Sequence, residues 1–303
     1  MPGPRLPSFV EPMLAASGQP FDSDLHLFEI KWDGSRGLAF IDSDGYRLIN
    51  RRKNDVTQRY PEFDFLAGLP PGTVLDGEIV VLDGGKPDFN LLQGREQTRL
   101  PRRIAAASKT TPATYVVFDL LYAGFRSTMQ RPLVERRELL REMTSAAVHE
   151  RWVMSEGTTG AGREFFTQAV ARGLEGVMAK RLDSRYLAGK RSPAWVKIKR
   201  QQRLLCAVIG YLPSGEKDFR SLVLAAEENG ELRFVGKVGS GIGEKVRAVL
   251  NRLLRAGHRE RPVIPCRERA VWVQPGIYCW VSCMERTKQG ELRAPVFEGL
   301  YEG

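Results

Sequence analysis

The stretch Leu27-Phe28-Glu29-Ile30-Lys31-Trp32-Asp33-Gly34-Ser35-Arg36 constrains this chain more than any other. Leu27, Phe28 and Ile30 form an apolar, strand-forming run, and Asp33-Gly34 turns the chain. A lysine is thereby delivered to the end of a strand, with an arginine five residues on. A lysine there can act as a nucleophile when its surroundings leave the amine neutral. The plain alternative is a turn with a surface lysine at its edge. Lys-x-Asp-Gly alone does not exclude that alternative, so the downstream residues decide.

The 303 residues favour about two domains. An apolar share of 42% supports packed cores and argues against disorder. Lysine and arginine number 46 against 36 acidic residues, a net charge of +10, which suggests a polyanionic partner without identifying one. No run reaches the ~18 apolar residues of a membrane span. The start, Met1-Pro-Gly-Pro-Arg-Leu-Pro-Ser, lacks the apolar core of a signal peptide, so a cytoplasmic protein is expected. Cys206, Cys266, Cys279 and Cys283 form no Cys-x-x-Cys pair. Reduced, buried thiols are expected ahead of a zinc site built from them with His258.

Residues 1–26, rich in proline, glycine and serine, read as an ordered lead-in with an apolar patch at Phe9, Val10, Met13 and Leu14. Residues 27–50 read as a hairpin region: a strand at Ile30, another over 37–41, a turn at Ser43-Asp44-Gly45 and a return strand over 46–49. Arg51-Arg52-Lys53-Asn54-Asp55 then leaves as a basic loop. Strands are expected over 74–82, 115–121, 176–180 and 194–199, with helices over 133–147 and 163–172. This irregular alternation suggests a mixed-sheet α/β or α+β domain over residues 1–200, of which α+β is the expected class. Beyond it, strands over 204–240, a helix over 244–254, and strands over 270–284 and 291–297 fit a small β-barrel of the OB type over 201–303. No internal repeat is visible.

Charged residues inside these strands narrow the chemistry. Glu78 interrupts the apolar run 74–82, and Glu175 precedes Gly176-Val177-Met178. A carboxylate there is costly unless it meets a ligand, a metal or a partner. Asp76-Gly77 would let the backbone come close to something. Lys197 and Lys199, two apart on a strand, share a face, so an anion is expected between them. Each residue alone could be a solvent-facing group on a one-sided sheet. Together, Lys31, Arg36, Lys197 and Lys199 with Glu78 and Glu175 suit a nucleotide phosphate and Mg²⁺ or Mn²⁺. Neighbouring cations would also disfavour the charged form of Lys31. Neither common glycine-rich phosphate loop is present.

At this point the sequence resembles the covalent nucleotidyltransferases, and among them the bacterial ATP-dependent DNA ligases of the end-joining type. Phe28-Glu29-Ile30-Lys31-Trp32-Asp33-Gly34 resembles the first motif, which implies that Lys31 carries AMP beside Glu29 and Ile30 in the nucleotide site. Arg51, followed by Asn54-Asp55, resembles the segment whose arginine touches the 5′-phosphate at a nick. Asp76-Gly77-Glu78 resembles the third motif, implying that Glu78 binds ribose and assists the metal. Phe118-Asp119-Leu120-Leu121 resembles the segment whose aromatic ring stacks on adenine. Glu175-Gly176-Val177-Met178-Ala179-Lys180 resembles the fourth motif, implying a metal role for Glu175 and a base-covering role for Val177 or Met178. Trp195-Val196-Lys197-Ile198-Lys199 resembles the fifth, whose lysines hold the α-phosphate. Leu292-Arg293-Ala294-Pro295-Val296-Phe297-Glu298-Gly299-Leu300 resembles the family's C-terminal stretch, so the resemblance covers nearly the whole chain, and motifs in this order are specific.

The resemblance implies a nucleotidyltransferase (ATP-grasp-like) domain followed by an OB-fold domain, ATP with Mg²⁺ or Mn²⁺, and a monomer acting on double-stranded DNA with nicks or breaks. A DNA-end-binding protein is an expected partner. One departure stands out. The family's last motif reads Arg-x-Asp-Lys after Gly-Leu, whereas Gly299-Leu300 is followed here by Tyr301-Glu302-Gly303. Slow self-adenylylation is therefore expected, with Arg293 a candidate substitute. Arg51, Lys180 and Arg293 are expected to meet DNA. The basic runs 180–203 and 252–269 are expected to track its phosphates. RNA ligases and mRNA-capping enzymes share the lysine chemistry, but the Trp-Val-Lys-Ile-Lys and Phe-Asp-Leu-Leu forms fit DNA ligases better. An NAD-dependent ligase would need further modules. A non-catalytic DNA-end-binding homologue is the alternative of another class; the intact Lys31, Glu78, Glu175 and Lys197 weigh against it.

Overall fold

In a computed structural model the described residues are 4–200, 202–215, 218–283, 285–287 and 289–301. Glu302 and Gly303, part of the departure at the last motif, lie outside the described residues. So do Met1–Gly3, Gln201, Glu216, Lys217, Met284 and Lys288. The chain divides into two compact units, Met1–Lys199 and Arg200–Gly303.

The first unit runs β1 (Leu14–Ser17), β2 (Ser23–Ile30), β3 (Ser35–Asp42), β4 (Gly45–Asn50), β5 (Thr73–Asp83), α1 (Phe89–Gln97), α2 (Pro101–Thr110) and β6 (Ala113–Ala123). It continues α3 (Leu133–Ala146), β7 (Trp152–Met154), β8 (Gly157–Gly160), α4 (Gly162–Ala171), β9 (Gly176–Arg181) and β10 (Arg191–Lys199). One sheet has the order β1-β10-β9-β2-β8, and β1 pairs with β10 in parallel. The other is built on β4-β3-β5-β6, with β7 added in parallel to β6.

Period-two alternation explains the layering. On β3, Ala39 and Ile41 face a core shared with Leu140 of α3, while Leu38 and Phe40 face a core shared with Trp195 of β10. That second core lies between the two sheets. On the far side of the first sheet, Phe28, Val177 and Ile198 pack against Phe165 and Phe166 of α4. The layers are thus helix, sheet, sheet, helix.

The β3–β4 hairpin and its turn form as expected, but β2 does not join it. β2 pairs with β9 and β8 in the other sheet, and residues 31–34 carry the chain from one sheet to the other. Gly34 permits the crossing: a Cβ there would lie 2.2 Å from the Ile79 carbonyl oxygen and 2.9 Å from the Glu78 side chain. Gly77 serves packing instead of a ligand. A Cβ there would lie 2.7 Å from the Tyr115 ring of the neighbouring strand. The helices α1 and α2 were not expected. α2 buries no residue fully, its inner face being only half-buried Ile104, Ala107 and Ser108, and α1 buries only Leu92 and Arg95, so neither presents the large apolar residues that mark a core helix.

The second unit comprises β11 (Gln202–Ser214), β12 (Asp218–Glu228), β13 (Glu231–Val238), α5 (Glu244–Ala256), β14 (His258–Arg259), β15 (Val271–Val273), β16 (Tyr278–Cys283) and β17 (Val296–Leu300), with short pairings between. The long β11 is its hub, pairing with β12, β15 and β16. Register shifts at Val208/Gly210 and Leu212/Pro213 bend it, the geometry a strongly coiled sheet needs. Leu250 and Leu254 of α5 close the core over Val208, Leu224 and Val281. Cys206 and Cys279 face each other across β11 and β16; all four thiols are free, and Cys266 is half-buried where a buried thiol was expected.

Candidate active site

Lys31 stands where the chain leaves one sheet for the other. Its backbone N–H donates to the Gly176 carbonyl at 3.0 Å, which fixes it beside the start of β9. Gly176 fits because its φ of +150° and a carbonyl 2.1 Å from a hypothetical Cβ exclude a side chain. Trp32 Nε1 donates to Ser155 Oγ at 3.1 Å and anchors the other side of the turn. The Lys31 side chain then meets Glu175: Nζ donates to Oε2 at 2.5 Å, and the Lys199 ammonium pairs with Oε1. Glu175 thus bridges two lysines. The cations expected beside Lys31 are joined by this carboxylate, which lies between Lys31 and Lys199.

A cavity of about 890 Å³ opens on these groups. Among the expected residues, Glu29, Ile30, Lys31, Arg36, Arg51, Glu78, Phe118, Met178, Lys180, Lys197 and Lys199 line it. Glu175 meets the cavity through its two lysines. Glu78 is half-buried and accepts no hydrogen bond among the described residues. Burial pushes its carboxyl up to about 7, against the pull of Arg36 and Lys31. Lys197 is also half-buried and makes no ion pair among the described residues. Burial and the nearby charges of Lys199, Arg191 and Lys31 hold its ammonium below the usual range. The pair expected to share an anion is therefore split: Lys199 is held by Glu175, and Lys197 is left facing the cavity.

Three expected roles do not match the geometry. Val177 is buried among Phe28, Ala179 and Ile198, on the face of β9 turned from the cavity. Strand alternation leaves Met178 as the residue that lines it. Lys180 is 2% exposed, so it offers no surface to DNA. It pairs with Glu29, and its ammonium lies 3.9 Å from the centre of the Phe118 ring and 4.5 Å from that of Trp195. Burial lowers its pKa, and Glu29 opposes that shift. Arg36, expected to neutralise phosphate, directs Nε and Nη2 to the two oxygens of buried Asp76, both at 2.5 Å. Against the cost of burial, Asp76 raises the guanidinium above its ordinary pKa. Arg51 is exposed on its loop as expected, and Arg293 is exposed on the two-residue strand Leu292–Arg293 of the second unit.

The supporting residues were not identified from sequence. Asp76 also accepts from Tyr186 Oη at 2.7 Å, and Tyr186 Oη accepts from the Met13 N–H at 2.9 Å. Glu29 is held from the other side by Arg137 of α3, with Nη1 at 3.1 Å. Arg137 Nη2 donates to the Ser155 carbonyl at 2.6 Å, so α3 grips both β2 and the segment after β7. A signal existed: Arg136 and Arg137 fall on the buried stripe of α3 with Leu133 and Leu140. Arginines on an apolar stripe mean buried acids opposite.

A family profile described as an ATP dependent DNA ligase domain matches residues 12–199, and one described as an ATP dependent DNA ligase C terminal region matches residues 215–302. The chain is 33% identical to the multifunctional non-homologous end joining protein LigD of Pseudomonas aeruginosa, over 98% of this chain and 36% of that protein. It thus spans little more than a third of that relative. It is 30% identical to the SPbeta prophage-derived DNA ligase-like protein LigB of Bacillus subtilis, over 96% of this chain and 98% of that one. The crystal structure of the ligase domain from Mycobacterium tuberculosis LigD shares 32% identity and a TM-score of 0.58, covering 96% of this chain and 95% of that one. The fold is accordingly α+β, a nucleotidyltransferase fold followed by an OB-fold. Profile matches to both parts of a ligase core, with relatives at 30% identity or more along nearly its whole length, place this chain in the ATP-dependent DNA ligase family.

Proposed function

We propose that this chain joins 5′-phosphate and 3′-hydroxyl ends in double-stranded DNA, using ATP and a lysine–AMP intermediate, in the repair of breaks by end joining. The observation that carries the reading is Lys31, hydrogen-bonded to Glu175 beside Lys199 on a cavity that Glu78 and Lys197 also line. Residues 1–200 would be the nucleotidyltransferase domain and residues 201–303 the OB-fold domain. The protein would act as a monomer in the cytoplasm, at the nucleoid, with an end-binding protein holding the break.

In the first step the Lys31 amine attacks the α-phosphorus of ATP. A P–N bond forms, the bond to the pyrophosphate oxygen breaks, and pyrophosphate leaves. Glu175 Oε2, already accepting from Nζ, is placed to take the lysine proton. In the second step an oxygen of the DNA 5′-phosphate attacks the AMP phosphorus and Lys31 departs, regaining a proton. In the third, the 3′-hydroxyl oxygen attacks the 5′-phosphorus and AMP leaves. Lys197, which makes no ion pair among the described residues, faces the transferring phosphate, and Arg51 meets the 5′-phosphate. Phe118 and Met178 bound the space for the base. A divalent cation fits the site: Glu78 has no hydrogen-bond partner of its own, and with Glu175 it supplies hard oxygen donors that would hold Mg²⁺ or Mn²⁺. Such an ion neutralises phosphate charge.

The test is the intact mass of the protein after incubation with ATP and Mg²⁺, for wild type and Lys31→Ala. Wild type should gain one AMP and the variant none. No gain in wild type, together with no sealing of pre-adenylylated nicks, would replace the reading with that of a non-catalytic DNA-binding protein.

A further inference from the structure

Of the two helices not expected from sequence, α2 buries no side chain fully. The 22 residues between Glu96 and Asp119 contain no acidic residue and four cations: Arg99, Arg102, Arg103 and Lys109. All four are exposed, and none makes an ion pair among the described residues. They sit on or beside α2. That helix is held from below by buried Arg95 of α1. Arg95 Nη1 donates to the Ala107 carbonyl at 3.1 Å and the Thr111 carbonyl at 2.7 Å, while Glu62 neutralises its charge. A built support thus carries a helix with no fully buried side chain.

The charge placement works against stability. Arg102 and Arg103 occupy the first turn of α2, which has no acidic residue. Unsatisfied N–H groups already make that end positive, so cations there are unfavourable. Some exposed cations elsewhere are neutralised by a neighbour: Arg181 pairs with Asp183, and Lys237 with Glu268. Local violations of a stability rule mark places kept for another purpose. The location supplies the purpose. Gln93, Glu96, Gln97 and Arg99, just before α2, line the same cavity as Lys31 and Arg51. Arg103 is four residues beyond Arg99, so their backbones lie within about 14 Å of each other. At about 3.4 Å of axis per strand step, that is about four nucleotides.

We propose that α2 and the residues leading into it are a seat for the duplex backbone flanking the break, with Arg102 and Arg103 gripping phosphates a few nucleotides from the one that enters the cavity. This rests on the joining reading above and extends it to a surface outside the family motifs. The contacts are to backbone and read no sequence.

The experiment uses the full chain with Arg102→Gln/Arg103→Gln, and with Arg163→Gln/Arg172→Gln, on α4 and just after it, as an equal charge change elsewhere. Dissociation constants for a nicked duplex are measured across a salt series, and AMP transfer from ATP is followed by mass. The α2 variant should take AMP as wild type does. It should bind the nick about ten-fold more weakly near 100 mM salt, and its plot of log affinity against log salt should be shallower by about two. The α4 variant should bind as wild type. Unchanged affinity and slope in the α2 variant overturn the seat, as does an equal loss in the α4 variant. A wild type that takes AMP but binds no nicked duplex also overturns it, and one that does neither overturns the joining reading as well.

Discussion

Glu78 shows how much a single carboxyl in this cavity depends on its surroundings. Its pKa moves from an ordinary 4.5 to about 7, chiefly by burial. The folded chain then holds that proton more tightly than the unfolded chain. Its contribution to stability is present in full below pH 4.5 and is lost as the pH rises through about 7. In the absence of divalent cations, urea unfolding at pH 5, 6 and 7 should show wild type losing stability relative to Glu78→Gln. Parallel profiles for the two proteins would refute this. Cys206 and Cys279 behave alike: burial pushes their thiols up to about 11 and about 12. An alkylating reagent at pH 8 should therefore label half-buried Cys266 long before either of them, read by peptide mass. Labelling of Cys279 at the same rate would mean that the core of the second unit opens readily.

At the level of elements, α3 is tied to both sheets through charge. Arg136 donates to Asp119 of β6 through Nε at 2.7 Å and Nη2 at 2.8 Å, with both residues fully buried. Arg136 Nη1 also satisfies the Arg131 and Ser184 carbonyls. Removing one partner strands a buried charge, so Asp119→Ala should cost about 3–5 kcal/mol of unfolding free energy. A cost under about 1 kcal/mol by chemical denaturation would show that water reaches Arg136. This helix also marks the limit of reading by pattern. Its period was legible from residue 133 to 147, yet the two arginines on its buried stripe were not tied to Glu29 and Asp119. Those partners are 108 and 17 residues away in sequence, and only packing brings them together. The motif strands were legible because β-forming residues surround their charges. The sheet-to-sheet crossing at 31–34 was not, since local sequence states that a strand ends but not which sheet the next one joins.

Across the whole molecule, a net charge of +10 does not by itself say which cations are open to a polyanion. Of the basic run 180–203, Lys180 is buried, Arg181, Lys199 and Arg203 are ion-paired, and Arg191 donates to the Ala15 carbonyl. Arg185, Lys190 and Arg200 of that run are exposed and make no ion pair among the described residues, as do the four cations on and beside α2. The first unit also contains within itself every ion pair described around Lys31, Glu29 and Asp76. A fragment ending at Lys199 should therefore fold alone with a cooperative thermal transition; a molten fragment lacking near-ultraviolet dichroism would show that it leans on the second unit. The thinly buried helix α2 has a kinetic consequence. Its amides are protected only by its own ladder and by the clamp of Arg95, so they can open without disturbing either sheet. Hydrogen exchange should be fast over residues 101–106 and slower near the clamp at 107–111. If the backbone of broken DNA docks there, the same amides should slow when a nicked duplex is added, while those of α3 keep the rate set by global unfolding.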